Sequence, residues 1–294
     1  MRPAAAVPPA AAVKIIRAIA EELRARPAQV EAAVTLLDEG ATVPFIARYR
    51  KEATGNLDDT QLRNLEERLG YLRELEERRA AIVESIRGQG KLTGELESAL
   101  EAAATKQALE DLYLPYKPKR RTKAQIAREA GLEPLADALF ADPRLDPLVE
   151  GAKYVKVVPA SEGVEAINVP DAKAALEGAR DILAERFAET AELLEKLRTR
   201  MWGEGIVTST VVEGREAAEE EKFRDYYAYS EPIRSIPSHR ALALFRGRTL
   251  GVLTLTLTLG EEVETAVPHP CEAIIASHFD IENRGRPADK WLAD

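Results

Sequence analysis

Cysteine is nearly absent from this 294-residue chain, with Cys271 standing alone. An internal disulfide is therefore impossible, a secreted disulfide scaffold is excluded, and a reducing, cytoplasmic setting is expected. Aromatic residues make up only 5%, and histidine occurs three times. Glycine and proline, 17 of each, are too few for collagen-like or proline-rich low-complexity sequence. No stretch of 18 apolar residues occurs, so neither a membrane span nor a membrane partner is expected. The start, Met1-Arg2-Pro3-Ala4-Ala5-Ala6-Val7-Pro8-Pro9, is broken by prolines and reads as a disordered leader over residues 1–12 rather than a signal peptide. Positive charge is in deficit: 41 Lys and Arg face 50 Asp and Glu, a net −9. Such a balance argues against coating nucleic acid over the whole surface, but it leaves room for a local basic site.

What is present favours helix. Hydrophobic residues make up 45%, and alanine alone occurs 48 times. Val13, Ile16, Ile19 and Leu23 recur at helical spacing, and Val30, Ala33, Val34 and Leu37 give a second helix ending at Gly40. Thr42 caps a short third helix through Pro44, Phe45, Ile46 and Tyr49. Asp58 with Gln61 opens a long helix carrying Leu62, Leu65, Leu69, Leu72, Leu75, Ile82 and Ile86. Its outer face, with six Arg and six acids between Thr60 and Arg87, reads as a solvated, self-paired surface. Further helices are expected around 95–113, 123–141, 171–200 and 214–228. Prolines 143, 147, 159 and 170 mark an irregular connection with a short strand at Tyr154–Val158. Leu253, Leu255, Leu257 and Leu259 alternate with Thr254, Thr256 and Thr258, a strand with Leu inward and Thr outward, and Ile206–Val212 is its candidate partner. The expected fold class is mainly α: a multi-helix scaffold with a helix-turn-helix-like element and a small β segment near the C-terminal end. Its parts are the leader 1–12, an N-terminal helical region 13–141, the connection 142–170 and a second helical region 171–294.

The sharpest local departure is Pro115-Tyr116-Lys117-Pro118-Lys119-Arg120-Arg121-Thr122-Lys123-Ala124-Gln125-Ile126-Ala127-Arg128, with six cations and no acid. Removing those six charges leaves −15 for the rest of the chain. These cations cannot satisfy one another, so they attract either an anionic partner or distant carboxylates of the same protein. Lys117, Lys119, Arg120, Arg121, Lys123 and Arg128 are candidate phosphate contacts, and the adjacent Tyr113 and Tyr116 are candidates for stacking on bases. Arg48, Arg50 and Lys51 form a second basic element; the simpler reading is the cationic end of a helix. After the basic loop, Thr122 caps a helix, Gly131 makes a turn and Leu132-Glu133-Pro134-Leu135 opens another helix, the shape of a helix-turn-helix. Asp137, Asp142 and the apolar Leu135, Leu139 and Phe140 suit that second helix poorly to a major groove, so base-specific readout is not expected.

Other chemistry finds little support. Gly90-Lys91 is followed by Leu92, and position 85 is Ser85, so the P-loop spacing fails. His239, His269, Cys271 and His278 fall within forty residues, but their spacing matches no structural zinc site. A capping role at the start of a helix through Ile274, Ile275 and Phe279 is the simpler reading. Neither a Ser-His-Asp order nor HExxH occurs. No catalytic residue, cofactor or metal is expected.

Four stretches carry a family resemblance. They are Val43-Pro44-Phe45-Ile46-Ala47-Arg48-Tyr49-Arg50-Lys51-Glu52 with Leu57-Asp58-Asp59, Asp111-Leu112-Tyr113-Leu114-Pro115 running into the basic loop, Ile236-Pro237-Ser238-His239-Arg240-Ala241-Leu242-Ala243, and His269-Pro270-Cys271-Glu272. In this order they resemble the Tex family of bacterial transcription accessory proteins, itself similar to a eukaryotic transcription elongation factor core. The resemblance covers nearly the whole chain after the leader. It implies an N-terminal helical region that family members follow with an RNase-H-like domain, helix-hairpin-helix elements and an OB-fold RNA-binding module. The chain is thus expected to be the front part of a longer, non-enzymatic protein. Implied partners are RNA or DNA (held weakly by this part alone), the transcription machinery and the later domains of the same protein. A scaffold that uses the same charges to bind protein is the alternative.

Overall fold

The computed structural model describes residues 9–118, 121–158, 167–214 and 218–294. It is mainly helical and divides into two compact units, Met1–Tyr116 and Lys117–Asp294.

In the first unit, α1 (Pro9–Leu23), α2 (Pro27–Asp38) and α3 (Val43–Tyr49) pack on the first half of α4 (Asp59–Gly88). Ile15, Ile19, Val30, Val34, Ile46 and Leu65 are among the buried residues of their shared core. α1 begins four residues inside the expected leader, because Pro9 fits a first helical position and the alanines after it extend the helix. Residues 1–8 lie outside the described part.

α4 runs 30 residues and is the spine of this unit. Its start is built as the sequence predicts: Gln61 N donates to Asp58 Oδ1 at 2.7 Å, and Asp58 N donates to Gln61 Oε1 at 3.1 Å. Its second half presents Leu75, Ile82 and Ile86 to a second core with α5 (Gly94–Ala102) and α6 (Lys106–Tyr113). The expected single helix 95–113 is therefore two, because Thr105 caps a new start with its hydroxyl on Ala108 N. Arg79 is buried, donates to the carbonyls of Leu100 and Ala103 at the end of α5, and pairs with Glu76 at 3.2 Å. A charge at that depth holds because its donors are spent on otherwise orphaned helix-end carbonyls.

The second unit is organised by α10. Before it come α7 (Lys123–Glu129), α8 (Glu133–Ala141) and α9 (Pro147–Ala152), then a two-stranded antiparallel ladder, β1 (Lys156–Val158) with β2 (Ile167–Val169). α10 (Ala172–Ala188) packs against α7, α8 and α9 through Ala175, Ala179, Ile182 and Leu183. Gly178 permits the close approach, since a Cβ there would lie 2.4 Å from Leu132 Cδ1. These contacts group residues 117–141 with the second unit, whereas the sequence placed them with the first. The expected helix 171–200 ends at Ala188 and resumes as α11 (Ala191–Glu204).

The β segment is larger than the sequence suggested. β3 (Ile206–Val211) lies between β4 (Ala228–Pro232) and β5 (Leu253–Thr258), antiparallel to both. The pairing of β3 with β5 is the expected one. Of the helix expected over 214–228, residues 215–217 lie outside the described part, and a 3-10 turn, Ala218–Tyr226, followed by β4 takes the place of the rest. The chain there buries Phe223 with Leu244, Val252 and Leu253. α12 (Ser238–Thr249) covers this cluster. The Leu-inward, Thr-outward alternation of β5 holds at Leu253 and fades along the strand, leaving Leu257 42% exposed. α13 (Glu261–Glu264), α14 (Pro270–His278) and α15 (Asp289–Ala293) complete the chain, and Ala288 and Trp291 return to the α10 core.

Candidate nucleic-acid interface

The basic loop leaves a 3-10 turn at Leu114–Tyr116 and enters α7 at Thr122, whose hydroxyl accepts from Gln125 N at 3.0 Å. Lys119 and Arg120 lie outside the described residues. The other four cations divide. Lys117 and Lys123 are exposed and, among the described residues, pair with no carboxylate. Arg121 donates to Glu129 Oε2 through Nε at 3.0 Å and Nη2 at 2.6 Å. Arg128 is half-buried, donates to Glu185 Oε1 at 2.6 Å and lies 3.4 Å from Glu133.

The electrostatics follow. Hydrogen bonds from Gln125 and then Arg121 hold the Glu129 carboxyl below its ordinary range. Burial pulls the Arg128 guanidinium down, but bonding and charge from Glu185 and Glu133 outweigh it and leave it above the ordinary arginine value. Two of these cations are thus spent partly on the protein itself.

The two candidate stacking tyrosines belong to the first unit. Tyr113 is buried, shares a 3.0 Å hydrogen bond with Ser85 Oγ, and has the Arg78 guanidinium 5.5 Å from its ring centroid. Its ring is part of the α4–α6 core and offers no open face. Tyr116 is half-buried against the same core, with its carbonyl accepting from Gln89 Nε2 at 2.9 Å.

The second basic element presents a different picture. Val43 and Ile46 anchor α3 in the core, which turns Phe45, Arg48 and Tyr49 outward. Phe45 and Tyr49, which the sequence assigns simply to a helical apolar pattern, are 42% and 63% exposed. Their rings are 5.3 Å apart and tilted by 46°, and the Arg50 guanidinium stands 5.8 Å from the Phe45 centroid. Arg48, Arg50 and Lys51 are exposed and have no carboxylate within ion-pair distance among the described residues. The signal was available: with Val43 and Ile46 inward, positions 45 and 49 share the opposite side of the helix.

The histidines and the cysteine play local parts. His269 caps α14, its Nδ1 accepting from Cys271 N at 3.2 Å, while Glu272 accepts from His269 N at 3.1 Å. His278 Nδ1 lies 3.0 Å from Lys196 Nζ, and His239 is exposed near the start of α12. Burial pushes the Cys271 thiol up from its ordinary value, which keeps it protonated and a poor nucleophile at neutral pH. Among the described residues, no three His, Cys, Asp or Glu side chains gather where a metal ion could be held. No described helix is long and apolar enough to cross a membrane.

Comparison with known proteins points to the family that the sequence resembles. A model of the Tex-like protein N-terminal domain matches residues 13–87, and one described as Tex central region-like matches residues 142–294. The chain is 58% identical to protein YhgF of Escherichia coli, over 94% of its own length and 34% of that protein's. It is 54% identical to the transcriptional accessory protein Tex of Neisseria gonorrhoeae, over 96% of its own length and 35% of that protein's. At 29% identity it also matches the human S1 RNA-binding domain-containing protein 1, over 93% of its own length and 26% of the other. The chain thus spans about a third of the length of these bacterial relatives. With matching models over both of its parts, the chain belongs to the Tex family.

Proposed function

We propose that this chain is the non-enzymatic N-terminal part of a nucleic-acid-binding transcription accessory protein, and that its basic loop contacts phosphates without reading sequence. The observation that carries the reading is the exposure of Lys117 and Lys123 with no carboxylate partner among the described residues. Relatives named as a transcriptional accessory protein and as an S1 RNA-binding domain protein support a nucleic-acid-related role. Lys119 and Arg120 extend the loop's charge in the sequence. Arg121 and Arg128 contribute less, since each is engaged by glutamate. Base readout by α8 has no support: its outward Asp137 is bound by Arg186 at 2.7 Å, and Leu135, Ala136 and Leu139 face the core. The test is affinity for single- and double-stranded RNA and DNA against salt. Lys117→Ala with Lys123→Ala should weaken all sequences alike and flatten the salt dependence. Unchanged affinity and slope would remove the proposal.

The scaffold reading keeps one specific observation in its favour. α12 exposes Leu242 and Phe245 beside Arg246 and Arg248, a face suited to an apolar, acidic protein surface. Pull-down of the later part of a family member, lost on Leu242→Ser with Phe245→Ser while strand binding persists, would support that reading.

A further inference from the structure

The Phe45–Tyr49 pair is exposed in a chain that has few aromatics, and the two rings face each other on one side of α3. Leaving two rings in water costs hydrophobic free energy, so an exposed tilted pair calls for an occupant. Its surroundings say which kind. Between Gly40 and Leu57 the chain carries three cations and one acid, Glu52. Arg48, Arg50 and Lys51 have no ion-pair partner among the described residues, and the planar guanidinium of Arg50 lies over the Phe45 ring.

The loop beneath is tied down by hydrogen bonds. Thr54 is fully buried, and its hydroxyl donates to the carbonyl of Lys51 at 3.2 Å. Gln29 Nε2 donates to the carbonyls of Thr54 and Gly55 at 3.3 and 2.7 Å. Gly55 has φ +58°, and a Cβ there would meet Gln29 Nε2 at 2.8 Å, so glycine is what lets the loop close on that side chain. The rings and cations therefore sit on a fixed frame, which lowers the ordering cost of binding.

From this juxtaposition we infer that α3 and the loop after it form a stacking platform for single-stranded nucleic acid. An unpaired base lies on the outer face of Tyr49, and Arg48, Arg50 and Lys51 meet the flanking phosphates. Stacking is tolerant of base identity, and the cations track the backbone. A duplex hides its base faces and gains only the phosphate contacts. The inference rests on the nucleic-acid reading above but locates a separate site with a narrower ligand class.

The experiment compares a 12-mer of uridine with an abasic 12-mer of equal charge, each titrated against the 294-residue chain. Phe45→Ala with Tyr49→Ala should weaken uridine-strand binding about tenfold and leave abasic-strand binding unchanged. The Phe45→Leu, Tyr49→Leu chain keeps apolar area without a π face and should lose as much. A melting curve on each variant confirms folding. Unchanged uridine-strand affinity in the alanine variant, or recovery in the leucine variant, overturns the platform. So does loss of binding to an acidic peptide with strand binding intact. If Lys117→Ala with Lys123→Ala weakens both strands while the ring variants do not, the platform falls and the basic-loop reading stands. If the parent chain binds neither strand, both fall.

Discussion

Two basic stretches that look alike in the sequence are used differently by the fold. In the segment 117–128, α7 winds Arg128 toward α10, where Glu185 binds it, and leaves Arg121, just before the cap, within reach of Glu129 at the far end of the helix. Arg48 lies in the last turn of α3, Arg50 and Lys51 follow its end, and none of the three has a carboxylate within ion-pair distance among the described residues, so the cations keep their charge for solvent or a ligand. Among the described residues, the larger sequence cluster is the one with cations bound by the protein's own carboxylates, at Arg121 and Arg128. Charge count alone therefore misjudges which stretch is free to act; what decides is which helix faces bring carboxylates within 3–4 Å.

The largest expected effect tests that division directly. Arg48→Ala, Arg50→Ala and Lys51→Ala together should lower the salt slope for a single strand by roughly 2, at about 0.7 per phosphate contact. Between 50 and 200 mM salt this is on the order of a tenfold difference in how far affinity falls. Arg121→Ala with Arg128→Ala removes nearly as many charges and should move the slope by less than 1. Equal slopes from the two sets would erase the contrast.

Next in size is the frame beneath the α3 loop. Gln29→Leu removes the donors to Thr54 and Gly55 and the acceptor that holds Arg26 N at 3.0 Å. Partly buried carbonyls left unmet should cost about 2 kcal/mol in urea unfolding. Strand affinity should fall as well, although Gln29 touches no ligand. A smaller stability loss, about 1 kcal/mol, is expected for Arg128→Ala, whose pair with Glu185 is partly screened by solvent. Its strand affinity should hardly change.

Much of this architecture is legible in the sequence because the relevant signals are local. The capping box at Asp58, the apolar spacing of α4 and the alternation of β5 each follow from neighbours a few residues apart. The misses share a cause. Residues 218–232 become a 3-10 turn and a strand because Phe223 finds Leu244 and Leu253, contacts that a local window cannot see. The same holds for the site. Tyr113 is adjacent to the basic loop in sequence, yet the α4–α6 core takes it, with Ser85 far upstream supplying its hydrogen bond. Phe45 and Tyr49 were readable as the face opposite Val43 and Ile46 only once those two were known to point inward.

The smallest effect separates the two stretches by pH. Glu129 is held below the ordinary carboxylate range by Gln125 and Arg121. A lowered folded value means the pairing contributes stability above the unfolded carboxylate pKa and loses it as pH falls through the folded value. Carboxyl NMR should therefore place the Glu129 midpoint below 4.5, and Gln125→Ala or Arg121→Ala should raise it. On the acid side of that midpoint Arg121 loses its pair with Glu129, so its contribution to binding a uridine strand, whose phosphates stay charged, should grow. Among the described residues Arg48, Arg50 and Lys51 have no paired carboxylate to protonate, so their contribution should stay flat across the same range. If Arg121→Ala weakens binding equally at pH 7 and below the Glu129 midpoint, then the ion pair does not restrain Arg121, and the distinction between the two stretches fails at that residue.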